Sequence, residues 1–336
     1  MTQQAQDLFE NLAPMIGNTP LLEIHGTYQG RCLRVFAKAE YYNPTGSIKD
    51  RIAYQILKHA YETGAIRPGA PIAEATSGNT GIAFAAAGAA LGHPVVIFMP
   101  DWMSRERIAM IESYGAKVRL VSQEEGGFLG AIRLAEEYGK QEGAFLPRQF
   151  SNPENSRAHE TTTGEEICRQ LTQMGLRADG VVAGVGTGGT IMGITRRLKA
   201  VWPSCRGFAL EPKQSPMMSA GGPAGAHRIQ GIGDDFVPDL IDRSELDGVI
   251  LVDDGDAIRV SQMLSRSLGI GVGISSGANL IGSILAARQL GGDPVIVTVF
   301  ADDNKKYLST DYAKEQPVKP KDLTKDLVLT RVIAHR

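Results

Sequence analysis

Short apolar runs alternate with helix-like patterns along this chain, and that alternation restricts the fold more than any other feature. Apolar runs without polar alternation are typical of strands that are buried on both faces of a parallel sheet. They lie at residues 95–99, 118–121, 181–185, 208–210 and 295–300. Between the first two runs, residues 104–114 place apolar side chains on one helical face, which completes a strand-helix-strand unit. The sequence therefore predicts an α/β fold with mainly parallel sheets.

Length and composition limit the function. With 336 residues and a formal net charge of -2, the chain is long enough for two modest α/β domains. The polar Asn/Pro composition of residues 149–155 marks the crossing between them, and we expect the site in the cleft. Because basic and acidic residues are interspersed, nucleic acid is not an expected partner. The N-terminus lacks a basic-then-apolar signal, and no apolar run approaches the roughly 20 residues of a membrane span, so we expect a cytoplasmic protein without membrane contact.

Cysteine and histidine are sparse and scattered. The three cysteines, Cys32, Cys168 and Cys205, are far apart and lack Cys-x-x-Cys spacing. We therefore expect reduced, structural cysteines rather than a disulfide framework. The six histidines include no pair at ligand spacing, so we expect no catalytic metal.

The segment Asn-Pro-Thr-Gly-Ser-Ile-Lys places Lys49 where a turn becomes a helix. Ser47 is predicted to cap this helix, which Ile52, Ile56 and Leu57 continue with helical spacing. An ammonium beside the positive end of a helix dipole is disfavoured, and burial disfavours it further, so the amine would be easily deprotonated. Such an amine can form a Schiff base with a carbonyl cofactor. The alternative is an ordinary solvated lysine at a helix start.

A glycine-rich segment at residues 184–190, Gly-Val-Gly-Thr-Gly-Gly-Thr, follows a predicted strand and opens a helix. Its backbone N–H groups can approach an anion at the positive end of that helix, which predicts a phosphate site. The spacing also fits Gly-x-Gly-x-x-Gly, and Glu211 ends the next strand where a dinucleotide fold places an acidic ribose ligand. A nicotinamide-dependent dehydrogenase is therefore one alternative, and a tight turn without a ligand is another.

Two further segments present hydroxyl groups at helix starts. Residues 76–81, Thr-Ser-Gly-Asn-Thr-Gly, join a strand-like segment to an Ala/Gly-rich helix. Their hydroxyls, amide and N–H groups could bind a carboxylate. Residues 273–277, Gly-Ile-Ser-Ser-Gly, repeat the pattern at a third helix start. Helix capping and close packing at the glycines would also explain both segments.

Together these segments closely resemble the cysteine synthase family, in the order of that family and over nearly the whole chain. The matching segments are residues 16–21, 47–51, 76–81, 149–153, 186–190, 230–233 and 273–277. The resemblance implies pyridoxal-phosphate fold type II, the tryptophan synthase β-subunit-like fold. It also implies four parts: residues 42–152 as a smaller, mobile substrate-binding domain, 153–315 as a larger cofactor-binding domain, 1–41 as a segment that completes the larger domain, and 316–336 as a C-terminal arm. That arm would pack on its own body or on a neighbouring subunit.

The resemblance further implies roles for individual residues. Lys49 would hold pyridoxal 5'-phosphate as an internal aldimine and later take the Cα proton of the substrate. Asn79 would contact the ring hydroxyl, and Ser275 the pyridine nitrogen, where a neutral hydroxyl favours loss of a β-substituent over transamination. The phosphate would be bound by Gly186, Thr187, Gly188, Gly189 and Thr190. The substrate carboxylate would be bound by Thr76, Ser77, Thr80 and Gln149.

The sequence departs from the family where Asp234 and Asp235 follow Gln-Gly-Ile-Gly in place of small residues. A carboxylate at Asp234 would repel hydrosulfide but could orient or deprotonate water, which would convert cysteine into serine and sulfide. The alternative is that both aspartates face solvent or cap a turn.

The predicted reaction is pyridoxal-phosphate-dependent β-replacement or β-elimination on a serine- or cysteine-derived amino acid through an aminoacrylate intermediate. The leading function is cysteine synthesis from O-acetylserine and sulfide. The alternative is a cysteine desulfhydrase or hydrolyase that releases hydrogen sulfide and forms serine. A cofactor-bound but inactive binding module is a further alternative. We expect a homodimer, as in the fold family, whose partners are a small amino acid and sulfide or water.

Overall fold

The computed structural model describes residues 2–336 and confirms the predicted α/β class with mainly parallel sheets. The strands are β1 (Leu21–Tyr28), β2 (Arg31–Ala39), β3 (Ile72–Ala75), β4 (Val95–Pro100), β5 (Lys117–Val121), β6 (Gly180–Gly184), β7 (Arg206–Pro212), β8 (Gly248–Val252), β9 (Ile296–Phe300) and β10 (Leu327–His335). The helices are α1 (Gln3–Leu12), α2 (Lys49–Thr63), α3 (Asn79–Leu91), α4 (Arg105–Ser113), α5 (Gly127–Glu142), α6 (Pro153–Ala158), α7 (Gly164–Gln173), α8 (Gly189–Val201), α9 (Met217–Ala220), α10 (Asp254–Leu268) and α11 (Ile274–Leu290). Within residues 2–336, none of the helices has the length and apolar character needed to cross a membrane.

The chain divides into two compact units. The first comprises Met1–Gly17 and Asn43–Asn155, and the second comprises Asn18–Tyr42 and Ser156–Arg336. The first contains a three-stranded parallel sheet in the order β3-β4-β5. The second contains a seven-stranded sheet in the order β10-β1-β2-β9-β6-β7-β8.

Helix α1 belongs to the first unit because of its aromatic contacts. The ring of Phe9 lies edge-on to those of Tyr54 and Tyr61, with centroid separations of 5.6 and 5.4 Å. Phe9 is almost fully buried there. This position differs from the expectation that all of residues 1–41 complete the larger domain. A short amphipathic helix can cover the apolar surface of either unit, and its sequence does not specify which one.

The small sheet of the first unit is covered by α5 on one side. Ala131 and Ala135 of that helix share a buried cluster with Phe98 of β4. Helix α3 is built largely of small residues and packs closely, so that a Cβ added to Gly81 would lie 2.8 Å from Cγ2 of Thr76. This close approach brings the N-terminus of α3 to the carboxyl end of β3, where α/β proteins commonly bind ligands.

The large sheet of the second unit has five parallel strands, β2, β9, β6, β7 and β8, extended at one edge by two antiparallel strands. The last strand, β10, pairs with β1, and Leu21 lies opposite His335. Leu327 and Leu329 of β10 are buried in the same core as α10 and α11. The C-terminal arm therefore packs on its own unit, which is one of the two alternatives considered from the sequence.

A buried ion pair joins the start of the second unit to α7. Lys38 is fully buried, and its Nζ lies 2.6 Å from Oε2 of Glu166 and donates a hydrogen bond to the Thr19 carbonyl. The other oxygen of Glu166 accepts a hydrogen bond from Asn18 N at 2.9 Å. Because both charges are desolvated, each depends on the other for its stability.

The three cysteines are free, as the sequence predicted. Cys32 is exposed, whereas Cys168 and Cys205 are buried. Burial raises the pKa of the Cys168 thiol to about 11 and that of Cys205 to about 12, so neither forms a thiolate readily.

Candidate active site

Lys49 is the first residue of α2 and lies half-buried after a tight turn. The turn is closed by the Asp50 carboxylate, which accepts hydrogen bonds from Thr45 N at 2.8 Å and from Thr45 Oγ1 at 2.7 Å. Gly46 takes a φ of +73° within it. Ser47 Oγ accepts a hydrogen bond from Lys49 N at 3.2 Å. The N-cap position of α2 is nevertheless Ile48, so Ser47 lies one residue before the predicted cap position. The Lys49 amine is therefore attached at a helix N-terminus, where the helix dipole opposes a positive charge.

The connection between β3 and α3 meets Gln149 from a later segment of the same unit. Thr80 Oγ1 donates a hydrogen bond to Gln149 Oε1 at 2.6 Å, and Gln149 Nε2 donates one to the Ala75 carbonyl at 2.8 Å. Gln149 and Thr80 are both buried. Because Nε2 carries two hydrogens and one is used by Ala75, the second can bind an acceptor such as a carboxylate oxygen.

Gly78 lets the same connection lie directly against a buried arginine. A Cβ at Gly78 would lie 2.3 Å from Cδ of Arg107, whose side chain is only 2% exposed. Thr76 Oγ1 accepts a hydrogen bond from Gly78 N at 3.1 Å, and the neighbouring Ser77 and Asn79 are half-buried. Hydroxyls, an amide and helix-start N–H groups thus meet in front of a guanidinium, which suits a carboxylate ligand.

The predicted phosphate loop follows β6 and opens α8 in the second unit. Gly188 is the N-cap of α8 with a φ of +85°, and Gly189 N donates a hydrogen bond to Thr187 Oγ1 at 3.4 Å. A Cβ at Gly186 would lie 2.4 Å from the carbonyl oxygen of Gly231, so only glycine fits. The N–H groups at the start of α8 have the geometry that a phosphate group requires.

A histidine supports this loop from the π-helical turn His159–Thr163. Its Nε2 lies 3.3 Å from Thr190 Oγ1, and its Nδ1 lies 3.0 Å from Thr163 Oγ1. The turn packs tightly on α8, since a Cβ at Gly193 would lie 2.7 Å from both Glu160 N and His159 Cβ. His159 therefore fixes the side chain of the last residue of the predicted phosphate loop.

The loop that carries the two departing aspartates lies against the phosphate loop. Gly233 N donates a hydrogen bond to the Val185 carbonyl at 2.9 Å, and His227 Nε2 lies 2.9 Å from the Gly233 carbonyl oxygen. Because a carbonyl only accepts, Nε2 carries the hydrogen. Asp234 is half-buried and Asp235 is exposed. The two aspartates thus differ, and only Asp235 has the surface position that the alternative assigned to both.

Ser275 lies in the first turn of α11 and is buried. The backbone around it is held by two hydrogen bonds, from Gly273 N to the Asp302 carbonyl at 3.0 Å and from Ala301 N to Ser276 Oγ at 3.1 Å. The Ser275 hydroxyl itself makes no hydrogen bond with any other residue of the described range 2–336. A buried hydroxyl in this situation is well placed to bond a ligand atom.

Glu211, the residue on which the dehydrogenase alternative depended, has a structural role. It is 2% exposed, and its two oxygens accept hydrogen bonds from Met218 N at 2.7 Å and Ser219 N at 2.9 Å. These bonds hold the start of α9. Both oxygens thus bind the backbone of their own unit, which gives Glu211 a structural explanation and leaves the dehydrogenase alternative without its acidic ribose ligand.

Four polar side chains beside these segments were missed from the sequence: Glu74, Arg107, His159 and His227. None of them stands in a motif whose spacing signals a role. Glu74, Arg107 and His159 contact residues that are distant along the chain, whereas His227 contacts Gly233 of its own loop. Only the fold brings them next to the candidate residues.

These features fit a phosphorylated aromatic aldehyde cofactor. Within the second unit, the glycine-lined start of α8 suits the phosphate and the Ser275 hydroxyl suits a ring atom. Within the first unit, the Lys49 amine is of the type that reacts with an aldehyde.

Comparison with known proteins agrees with that fit. The family model for "Pyridoxal-phosphate dependent enzyme" matches residues 12–302. A cysteine synthase of Staphylococcus aureus is 40% identical over 306 residues, which are 91% of this chain and 97% of that relative. The crystal structure of a hydrogen sulfide-producing enzyme from Fusobacterium nucleatum is 53% identical with a TM-score of 0.95, and the match covers 98% of this chain and 99% of that one. A further crystal structure of such an enzyme, an Asp-to-Asn variant complexed with an α-aminoacrylate intermediate, matches equally well.

The chain therefore belongs to the pyridoxal-phosphate-dependent enzymes, within the cysteine synthase-like group of fold type II. Its cofactor is pyridoxal phosphate, and its chemistry is β-replacement on a small amino acid. The expectations for family, fold class, cofactor and reaction class are thereby confirmed.

Proposed function

We propose that this enzyme replaces the thiol of L-cysteine by hydroxyl, so that cysteine and water give serine and hydrogen sulfide. The observation that carries this proposal is the position of Asp234. Its half-buried carboxylate belongs to a loop that is bonded to the phosphate loop through Gly233 N and the Val185 carbonyl. A carboxylate so close to the cofactor site disfavours an anionic sulfur nucleophile and favours water.

The proposed cofactor contacts are those implied by membership of the family. Pyridoxal phosphate, when bound, withdraws electrons from the substrate Cα and so permits loss of the α-proton and of the β-substituent. We assign its phosphate to residues 186–190, its ring nitrogen to Ser275 and its ring hydroxyl to Asn79. The Lys49 amine would hold the cofactor through its aldehyde group and would serve as the base for the proton on the substrate Cα.

The substrate carboxylate is assigned to the start of α3. Ser77 offers its hydroxyl and Gln149 its second amide hydrogen, while Thr80 fixes the Gln149 amide through Oε1. Thr76 holds the loop conformation through Gly78 N. The guanidinium behind this loop adds a favourable potential for an anion.

Asp234 acts on the incoming water. Its carboxylate would accept a proton from water as the water oxygen bonds to Cβ in the place of the departed hydrosulfide, and Lys49 would return the proton to Cα. The hydrogen bond between His227 and the Gly233 carbonyl limits the freedom of the backbone immediately before Asp234. Asp235, which is exposed, takes no part in this step.

The similarity to solved structures supports the same reaction. The Fusobacterium nucleatum enzyme, named for hydrogen sulfide production, is 53% identical to this chain over nearly its whole length. An Asp-to-Asn variant of such an enzyme holds an α-aminoacrylate intermediate. We propose that an aspartate at the position of Asp234 serves both proteins.

Cysteine synthesis from O-acetylserine and sulfide is the second candidate, and the 40% identity to cysteine synthases favours it. The two reactions differ only in the leaving group and nucleophile at Cβ. Incubation of the cofactor-loaded enzyme with L-cysteine alone, and separately with O-acetylserine and sulfide, distinguishes them. We expect catalytic serine and sulfide from cysteine alone, with ¹⁸O from labelled water in the serine hydroxyl.

The matched pair Asp234→Asn and Asp235→Asn tests the role of the carboxylate. We expect Asp234→Asn to lower serine formation by about 100-fold or more, a typical effect of losing a general base. Asp235→Asn, the exposed neighbour, should leave it unchanged. Equal serine formation by wild type and Asp234→Asn would refute the role of Asp234, and cysteine as the main product from O-acetylserine with no serine from cysteine would establish the synthase instead.

We also propose that the active enzyme is a homodimer, as in the fold family. Sedimentation equilibrium of the cofactor-loaded protein tests this, and a mass near that of a single chain would refute it.

A further inference from the structure

A buried carboxyl lies directly behind the proposed substrate-carboxylate site. Glu74 belongs to β3, whose other residues are apolar, and is only 6% exposed. Burial of a carboxyl costs free energy unless hydrogen bonds compensate for lost water. Thr76 and Ser77, two of the proposed carboxylate contacts, follow it almost immediately in the chain. A buried carboxyl group next to the proposed carboxylate site therefore needs a structural or functional explanation.

Main-chain N–H groups from two segments bind the Glu74 carboxyl. Oε1 accepts a hydrogen bond from Ala75 N at 2.9 Å, and Oε2 accepts one from Gln149 N at 3.2 Å. The N–H of Arg148 adds a further contact. The Arg148 guanidinium is instead bonded to Glu136, at 2.8 and 3.0 Å. Glu74 is thus held by the backbone and not by a basic side chain.

These hydrogen bonds connect β3 to the segment that carries Gln149. That segment runs beside β3 from the bridge between Ile72 and Phe145 onward. At its end, Gln149 N is bonded to the Glu74 carboxyl, and Gln149 Nε2 is bonded to the Ala75 carbonyl. The backbone and the side chain of Gln149 are therefore both fixed by consecutive residues of one strand.

We propose that Glu74 is a positioning residue for recognition of the substrate carboxylate, because it fixes the Gln149 backbone and so directs the Gln149 amide toward Thr80 and the substrate. The inference rests on the proposed function, in that it takes Gln149 and Thr80 as carboxylate contacts. Glu74 acts through Gln149 and does not touch the substrate itself.

The charge state of Glu74 fits this role. Burial raises the pKa of Glu74 to about 8, against the opposing effect of the N–H groups of Ala75, Gln149 and Arg148, and Glu136 on α5 raises it further. Near neutral pH the carboxyl is mostly protonated, so it adds little negative charge behind a site for an anion. Above that pKa it ionises, and recognition of the substrate carboxylate should weaken.

The test uses two probes without a β-leaving group on the cofactor-loaded enzyme, L-alanine and ethylamine, which differ in the carboxylate. Their dissociation constants are measured by calorimetry, and the ratio of the two isolates the carboxylate contribution. In Glu74→Gln, one carboxyl oxygen is replaced by an amide nitrogen, which cannot accept a hydrogen bond from a backbone N–H, so at least one of the backbone bonds is lost. We expect L-alanine to bind about tenfold more weakly, ethylamine to bind equally, and KM for cysteine to rise with kcat nearly unchanged.

A second measurement needs no variant at Glu74. In the wild type, the alanine-to-ethylamine affinity ratio should fall as pH rises through about 8, and Glu136→Gln, which keeps the Glu74 contacts, should shift that fall to lower pH. A ratio that is flat across this range, or unchanged alanine binding by folded Glu74→Gln, would overturn the proposal. If Gln149→Ala leaves the ratio unchanged, the assignment of the carboxylate site fails and the proposal falls with it. If serine is not formed from cysteine but the ratios behave as expected, only the proposed reaction fails.

Discussion

Replacement of Gly186 by alanine should damage the cofactor site in a calculable way. The added Cβ would lie 2.4 Å from the Gly231 carbonyl oxygen, whereas ordinary contact begins at 3.4 Å. The phosphate loop and the loop of residues 230–235 must therefore separate by about 1 Å, which costs about 1–3 kcal/mol, as overpacking typically does. The same separation strains the 2.9 Å hydrogen bond from Gly233 N to the Val185 carbonyl. We expect the dissociation constant for pyridoxal phosphate to rise at least about tenfold, since ~1.4 kcal/mol corresponds to that factor.

Equilibrium titration with pyridoxal phosphate, followed by absorbance, measures the change in the dissociation constant, and urea unfolding measures the loss of stability. Gly248→Ala is the matched control, because its Cβ would lie 3.3 Å from a Phe208 side-chain atom and needs only a small adjustment. It should bind the cofactor like the wild type. If Gly186→Ala had wild-type cofactor affinity and stability, the inferred contact between the two loops would be wrong.

Three other changes have defined outcomes. Lys38→Met should destabilise the protein by about 3–5 kcal/mol in urea unfolding because it leaves Glu166 buried without its cation, and adding Glu166→Gln should recover part of the loss. The pKa of Glu74 is raised from 4.5 to about 8, so its contribution to folding is greatest below pH 4.5 and declines as pH rises toward 8. Between these two pH values, the difference in unfolding free energy between wild type and Glu74→Gln should fall by roughly 1.4 kcal/mol per pH unit. Of the three thiols, only exposed Cys32 should react promptly with a thiol reagent at neutral pH, and rapid reaction of all three in the folded protein would contradict the assigned burial.

The elements predicted best were those whose sequence pattern is decided locally. The buried runs at residues 95–99 and 181–185 became β4 and β6 because strands covered on both faces require continuous apolar sequence. The start of α2 at Lys49 was found because turn signals depend on a few neighbouring residues. Local sequence patterns could not show which elements the two terminal segments pack against. Residues 316–336 were expected only as an arm, because the pairing of β10 with β1 depends on which sheet edge is free.

The candidate site shows the same division. Glycine-rich helix starts are visible in the sequence because the required backbone conformation restricts residue type, as at Gly186 and Gly188. A lone glutamate in a four-residue strand gives no such signal. Glu74 would be expected at the surface, and its burial becomes evident only when the segment that ends at Gln149 lies beside β3.

The two carboxyl groups proposed to govern the reaction need opposite environments. A carboxylate that accepts a proton from water must be within reach of that water, and the proposed base Asp234 is only half-buried in its loop. A carboxyl that supports binding of an anion must avoid adding charge, and the nearly complete burial of Glu74 raises its pKa to about 8. Their environments thus separate two tasks that the same functional group could not perform in one setting. It follows that raising the pH above 8 should weaken substrate binding through Glu74 without removing the base at Asp234, so KM should rise before kcat falls.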